Sequence, residues 1–225
     1  MRKTEDLFIP RTRSFDYTPT KQSVWSSWGT LRILVDVRKL GHMYFRLSSD
    51  LDECNVYIER DFREAISFIG GEILEGAPPV PLRFTMEVDD DEDGNPMEPR
   101  LDAYFPEESL MHKRLVAVME SAGVDNIQTF PAILTDGGTD QTNDDYVAVN
   151  VVGLVSCANM DESETEPLAD VYFFQNLVID PKKTGDMLAF RLAESPMEII
   201  LHEKVANAIQ EGEFTGVVLE ALTEA

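Results

Sequence analysis

Histidine and cysteine are scarce in this chain, three and two among 225 residues. Most metal sites and many nucleophilic centres draw on those side chains, and the arrangements that concentrate them are missing: there is no H-E-x-x-H, no paired C-x-x-C, no G-x-S-x-G and no P-loop. Two cysteines, Cys54 and Cys157, are too few for a disulfide framework at this length and read as buried free thiols of a reducing compartment. Long apolar runs are lacking too. No window approaches the roughly 18 to 20 apolar residues that span a bilayer. The opening MRKTEDLFIPRTRS has basic residues with no apolar stretch behind them, unlike a secretory signal. A soluble, cytoplasmic protein is expected.

Positive charge is the third scarcity. Only 19 Lys and Arg face 42 Asp and Glu, a formal net charge of -23. Nucleic acid and anionic membranes would repel such a chain, and basic protein surfaces would attract it. The cations cluster early: residues 1–46 hold nine against four acidic side chains, and residues 47–225 hold ten against 38. The basic first part is expected to pack on the acidic remainder.

What is present is ample apolar material, 43% of the chain, enough for a sizeable core. Strands are expected at 31–37 and 43–47 around a Lys39-Leu40-Gly41 turn. Leu82, Phe84, Met86 and Val88 alternate with polar residues, the period of a half-buried strand. Residues 107–122 carry Met111, Leu115, Val118, Met119 and Ala122 at helical spacing, with Glu107 and Glu108 suited to a helix start and Gly123 to its stop. Three apolar segments follow, 127–134, 146–155 and 171–179. Pro131 places the first at an edge or a bulge, and the unbroken second suits a strand buried on both faces. Polar, acidic loops are expected at 136–145 and 159–170. The C-terminal part reads as strands at 187–192 and 198–201, a helix at 202–211 and a last strand at 214–222. Residues 1–79 are expected to form a strand-rich part packed on the same core as 80–225. The fold class is thus α+β: a single domain with a mostly antiparallel or mixed sheet and two principal amphipathic helices. His112 with His202, Leu115 with Val205 and Met119 with Ile209 echo each other, through an old duplication or through two helices meeting one packing demand.

In VDDDEDGN, Asp89, Asp91, Asp93 and Gly94 match the opening of an EF-hand loop. The twelfth position is Arg100 where a bidentate glutamate is needed, Pro96 and Pro99 stand where the exiting helix would begin, and a strand pattern enters. The stretch reads as an acidic surface loop, with room only for a weak cation site of another kind. No metal or cofactor is expected. Cys157 at a strand end is a conceivable nucleophile, but no histidine is near it in sequence. His112 and His202, early in their helices, suit capping or surface roles.

The ordered stretches AGVDNIQTFP (122–131), YVAVNVVG (146–153), LAFRL (188–192), EIILHEKVANAI (198–209) and FTGVVLEAL (214–222) together resemble immunity family eleven of bacterial polymorphic toxin systems. The resemblance covers residues 80–225 well and residues 1–79 only in general character. After the Asn150 strand many members carry an aspartate-containing turn, where this chain reads VSCANMD. The resemblance implies a non-enzymatic protein that binds and blocks a cognate toxin. The toxin partner would be a basic protein such as a nuclease, met by an acidic surface that occludes its active-site cleft. Candidate contacts are Asp89, Asp90, Asp91, Glu92 and Asp93; Asp140, Asp144 and Asp145; and Asp161, Glu162, Glu164 and Glu166. The alternatives are a small hydrolase or metal-dependent enzyme using scattered carboxylates, and an acidic scaffold without a toxin partner.

Overall fold

A computed structural model describes residues 43–50, 55–61, 66–76, 78–95 and 97–225. The expected strand at 31–37, the turn at 39–41, His42, Cys54 and the packing of the basic N-terminal part lie outside the described residues.

In chain order the elements begin with β1 (Tyr44–Ser49), β2 (Val56–Arg60), β3 (Leu82–Val88), β4 (Tyr104–Phe105) and β5 (Leu110–His112). Then come α1 (Lys113–Ser121), β6 (Ile127–Asp136), β7 (Thr142–Asn143), β8 (Tyr146–Val151) and β9 (Leu154–Val155). The remainder is β10 (Glu164–Leu168), β11 (Val171–Asn176), β12 (Val178–Ile179), β13 (Ala189–Leu192), β14 (Ser195–His202), α2 (Glu203–Glu211), β15 (Val217–Ala221) and β16 (Thr223–Glu224). The fold is α+β, dominated by two sheets. One runs β2-β3-β6-β8-β5-β4 with β7 beside β6, and the other runs β15-β1-β14-β13-β9. Pairing is antiparallel except at β3–β6 and β13–β9 within these sheets.

Both helices and the inner faces of both sheets share one core, with Leu115 and Met119 from α1, Val205 and Ile209 from α2, Val149 from β8 and Leu201 from β14. The outer face of the first sheet carries a second core, in which Phe84, Phe130 and Tyr146 meet Phe68. The outer face of the second carries a third, where Tyr44, Phe190 and Ile200 meet Cys157 and Phe174. Being covered on both sides explains the unbroken apolar run of β8, whose six residues are all buried.

The echo between the helices extends to a whole structural repeat. β6-β8-β5-β4 and β15-β1-β14-β13 have the same order and are antiparallel throughout. His112 sits opposite Tyr146, and His202 opposite Tyr44. Each histidine meets its tyrosine edge to face at 5.4 Å between centroids, and each tyrosine packs at 5.9 Å against a phenylalanine, Phe105 or Phe190. Lys113 N–H donates to Asp145 O and Glu203 N–H to Met43 O, again at matching positions. In chain order each repeat reads tyrosine strand, short strand, histidine strand, helix, strand. The tyrosine strands are exchanged: β1 lies in the second repeat's sheet and β8 in the first's.

The expected helix over 107–122 starts later, at Lys113. Ser109 takes a left-handed φ of 51°, and Leu110–His112 pair as a strand between β4 and β8, so Glu107 and Glu108 precede the strand and not the helix. Pro131 closes the part of β6 that pairs with β8, and pairing with β3 begins at Ala132. Over Ile127–Pro131 the strand has β8 as its single strand neighbour among the described residues, so the missing N–H of proline is tolerated. Residues 159–170 are not all loop, since Glu164–Leu168 form β10.

Candidate interaction surface

The residues that carry the family resemblance hold the scaffold together. The Asn126 side-chain amide donates to Val152 O and, at 2.9 Å, to Ala189 O, so one side chain ties the end of β8 to β13 of the other sheet. Asn150 Nδ2 donates to Gln128 Oε1 at 2.9 Å and to Glu72 O at 2.8 Å. Gln128 Oε1 also accepts the Leu74 N–H, which pins the 66–76 segment against the sheet. Gly216 has a φ of 69°, and a Cβ there would collide with the Asp102 carboxylate, which explains the T-G-V stretch. Arg191 of LAFRL is 1% exposed. Its Nη1 donates to Pro196 O and Met197 O, while Nε and Nη2 meet no acceptor among the described residues.

Cys157 lies in the third core with no exposed surface, and burial, with the charge of Glu194 adding to it, pushes its thiol up to about 12. A thiol in that state is a poor nucleophile at neutral pH. His112 and His202 are N-caps: each Nδ1 accepts the backbone N–H two residues on, Arg114 or Lys204, at 3.1 Å. These bonds put the imidazole proton on Nε2. Among the described residues no three His, Cys, Asp or Glu side chains group in a way that could hold a metal. A concavity of about 470 Å³ beside β2 and β4 is lined by Tyr57, Glu59, Tyr104 and Glu107, along with Glu108, which pairs with Arg60, and Asp102, which pairs with Arg100. No helix among the described residues is long and apolar enough to cross a membrane.

The first two acidic stretches come to one end of the larger sheet. β3 and β6 run parallel, so the loops that leave them emerge on the same side, and Gly137 N–H donates to Met86 O. Asp90, Asp91, Glu92 and Asp93 are exposed there with Asp140, and Asp144 and Asp145 are exposed just ahead of β8; Asp89 is half-buried. Asp91 is turned into its own loop, where its Oδ1 accepts the N–H groups of Asp93 at 2.9 Å and Asn95 at 2.8 Å. The Asn95 N–H, followed by the Asn95 side chain and other backbone donors, holds this carboxyl below its usual range. Asp136 does likewise with Gly138 and Thr139, its carboxyl lowered chiefly by the Gly138 N–H. These two side chains shape turns; their neighbours supply the outward charge.

Asp161, Glu162, Glu164 and Glu166 are exposed on a different feature, the β10–β11 hairpin and the turn before it. Residues 159–176 hold five acidic side chains and no Lys or Arg. Pairing of Glu166 with Phe173 and Leu168 with Val171 puts these four on one face of the hairpin. The opposite face turns Phe174 into the third core, so the Phe173 face looks outward. Phe173 is 55% and Leu168 61% exposed. Arg46 Nη1 donates to Phe174 O at 3.3 Å and lies 3.3 Å from Glu198, while Tyr172 N–H donates to Glu194 O at 2.8 Å, and together these anchor the hairpin. Sequence reasoning passed over both, Phe173 because the apolar segment 171–179 reads as core and Leu168 because 159–170 reads as a polar loop.

Residues 44–224 match the family model of the immunity protein family Imm11. No curated protein matches the chain in sequence. The match spans most of its length, and the chain belongs to this family.

Proposed function

We propose that this member of the immunity protein family binds a cognate bacterial toxin in the cytoplasm of its producer and neutralises it by direct, non-enzymatic contact. The observation that carries the reading is the family match over 44–224. The net charge of -23 supports a basic partner, such as a nuclease whose substrate-binding cleft is cationic. An acidic surface would compete with nucleic acid for that cleft and associate quickly through electrostatic steering. The contacts we assign to it are drawn from the outward carboxylates: Asp90, Glu92, Asp93, Asp140, Asp144 and Asp145 at the sheet end, and Asp161, Glu162, Glu164 and Glu166 on the hairpin. A buried Cys157 and two histidines committed to capping favour binding over catalysis.

The test is co-expression with the toxin domain encoded by the adjacent gene, together with a pull-down of the two purified proteins. Growth rescue with a stoichiometric complex is the expected result. Toxicity undiminished by this protein, with no complex formed, would refute the reading.

A further inference from the structure

We infer that the β10–β11 hairpin is the element that seats in the toxin, with Phe173 and Leu168 as its apolar anchors and Glu164 and Glu166 as the charges that guide it. The inference rests on the immunity reading above and names the contact that reading requires.

An exposed carboxylate cluster alone marks no site, because acidic turns also serve solubility. The hairpin differs in a second respect. It presents a phenylalanine and a leucine outward, 55% and 61% exposed, on a strand pair whose other face is fastened to the core through Phe174. Leaving such side chains in water forgoes the favourable free energy of burying them. Binding interfaces place large apolar side chains of this kind at the centre and charges at the rim. The rim here is of one sign: Glu166 lies across from Phe173, Glu164 is exposed at the start of β10, and Asp170 stands in the turn. The occupant is therefore a protein surface with an apolar recess ringed by Lys and Arg. The feature is also held ready. The Arg46 bond to Phe174 O and the Glu194 bond to the Tyr172 N–H hold β11 in place, and Gln175 Nε2 donates to Glu166 Oε1 at 3.0 Å across the strands. Little ordering cost remains for the moment of contact.

The experiment measures association and dissociation rates of the full-length chain with the purified toxin domain of the adjacent gene. It compares the wild type, F173A, L168S and the pair E164K/E166K. Expected is a 10- to 100-fold loss of affinity in F173A, mostly through faster dissociation, and a roughly tenfold slower, less salt-dependent association in E164K/E166K. Thermal unfolding of F173A should match the wild type, since the ring is outside the core. Wild-type binding with F173A and L168S indistinguishable from it would overturn the hairpin assignment and leave the immunity reading standing. No binding by the wild type would overturn both.

Discussion

At the scale of single residues, Arg191 is the least expected feature. A guanidinium belongs in water or against a carboxylate, yet this one is enclosed, and burial lowers its pKa from the ordinary value. Its compensation is partial: two carbonyls at the start of β14 accept from Nη1, and Nε and Nη2 meet no acceptor among the described residues. Removing two charged-group donors from water without partners is costly, and buried charges are often replaced by apolar side chains of similar size at no loss. The Arg191→Met variant is therefore expected to be within about 1 kcal/mol of the wild type or more stable, while Arg191→Ala loses about 3 kcal/mol through the cavity it leaves. Urea unfolding of both variants checks this. Equal destabilisation in the two would mean that the charge itself is required. Nothing in LAFRL announces the burial, because an arginine between phenylalanine and leucine fits a solvent-facing position of an alternating strand equally well. Cys157 was easier to read, since its apolar neighbours and its distance from any histidine already pointed to a core thiol.

At the scale of elements, the two histidine caps explain where the helices start. His112 and His202 keep extended backbone angles while their rings accept the first free N–H groups, and both pack on a tyrosine from the neighbouring strand. The helical stripe of 107–122 was legible, but its first third was not. Three residues of strand, paired on both sides, outweigh a helical spacing that those same residues would equally satisfy. The second helix, expected at 202–211, begins one residue later, at Glu203, because β14 runs through His202 and that residue serves as the cap. The exchange of tyrosine strands was invisible in sequence, since it depends on β1 pairing with β14 and β15 at the far end of the chain. Removing a cap acceptor costs about 1 kcal/mol. His112→Ala and His202→Ala should each lose that amount plus the ring contact with Tyr146 or Tyr44, whereas His112→Asn and His202→Asn should recover the cap. Circular dichroism with chemical unfolding reads the difference. An asparagine variant no better than alanine would place the histidine's contribution in the ring contact alone.

At the scale of the whole molecule, charge dominates. A chain of 225 residues with a net -23 repels itself in the compact state, and few opposite charges are available to offset it. Where cations occur they are heavily used: Arg46 faces both Glu198 and Glu220, and Arg100 reaches Asp50 and Asp102. Two opposing effects of salt follow. Screening weakens those ion pairs, which are partly enclosed and so respond little. It also relieves repulsion among dozens of exposed carboxylates, which respond fully once the Debye length shrinks from about 30 Å at 0.01 M to about 3 Å at 1 M. The second effect should win. Thermal unfolding followed from 0.02 to 0.5 M NaCl is expected to show a midpoint rising by roughly 3–8 °C, the equivalent of about 1–2 kcal/mol for a domain of this size. A falling midpoint would mean that the ion pairs outweigh the repulsion. The toxin complex should move the other way, because the carboxylates that repel one another here are the ones proposed to attract a basic surface. Association should slow as the same salt is added. One property of the sequence thus predicts opposite salt responses for folding and for binding, and measuring both on a single preparation separates self-repulsion from attraction between partners.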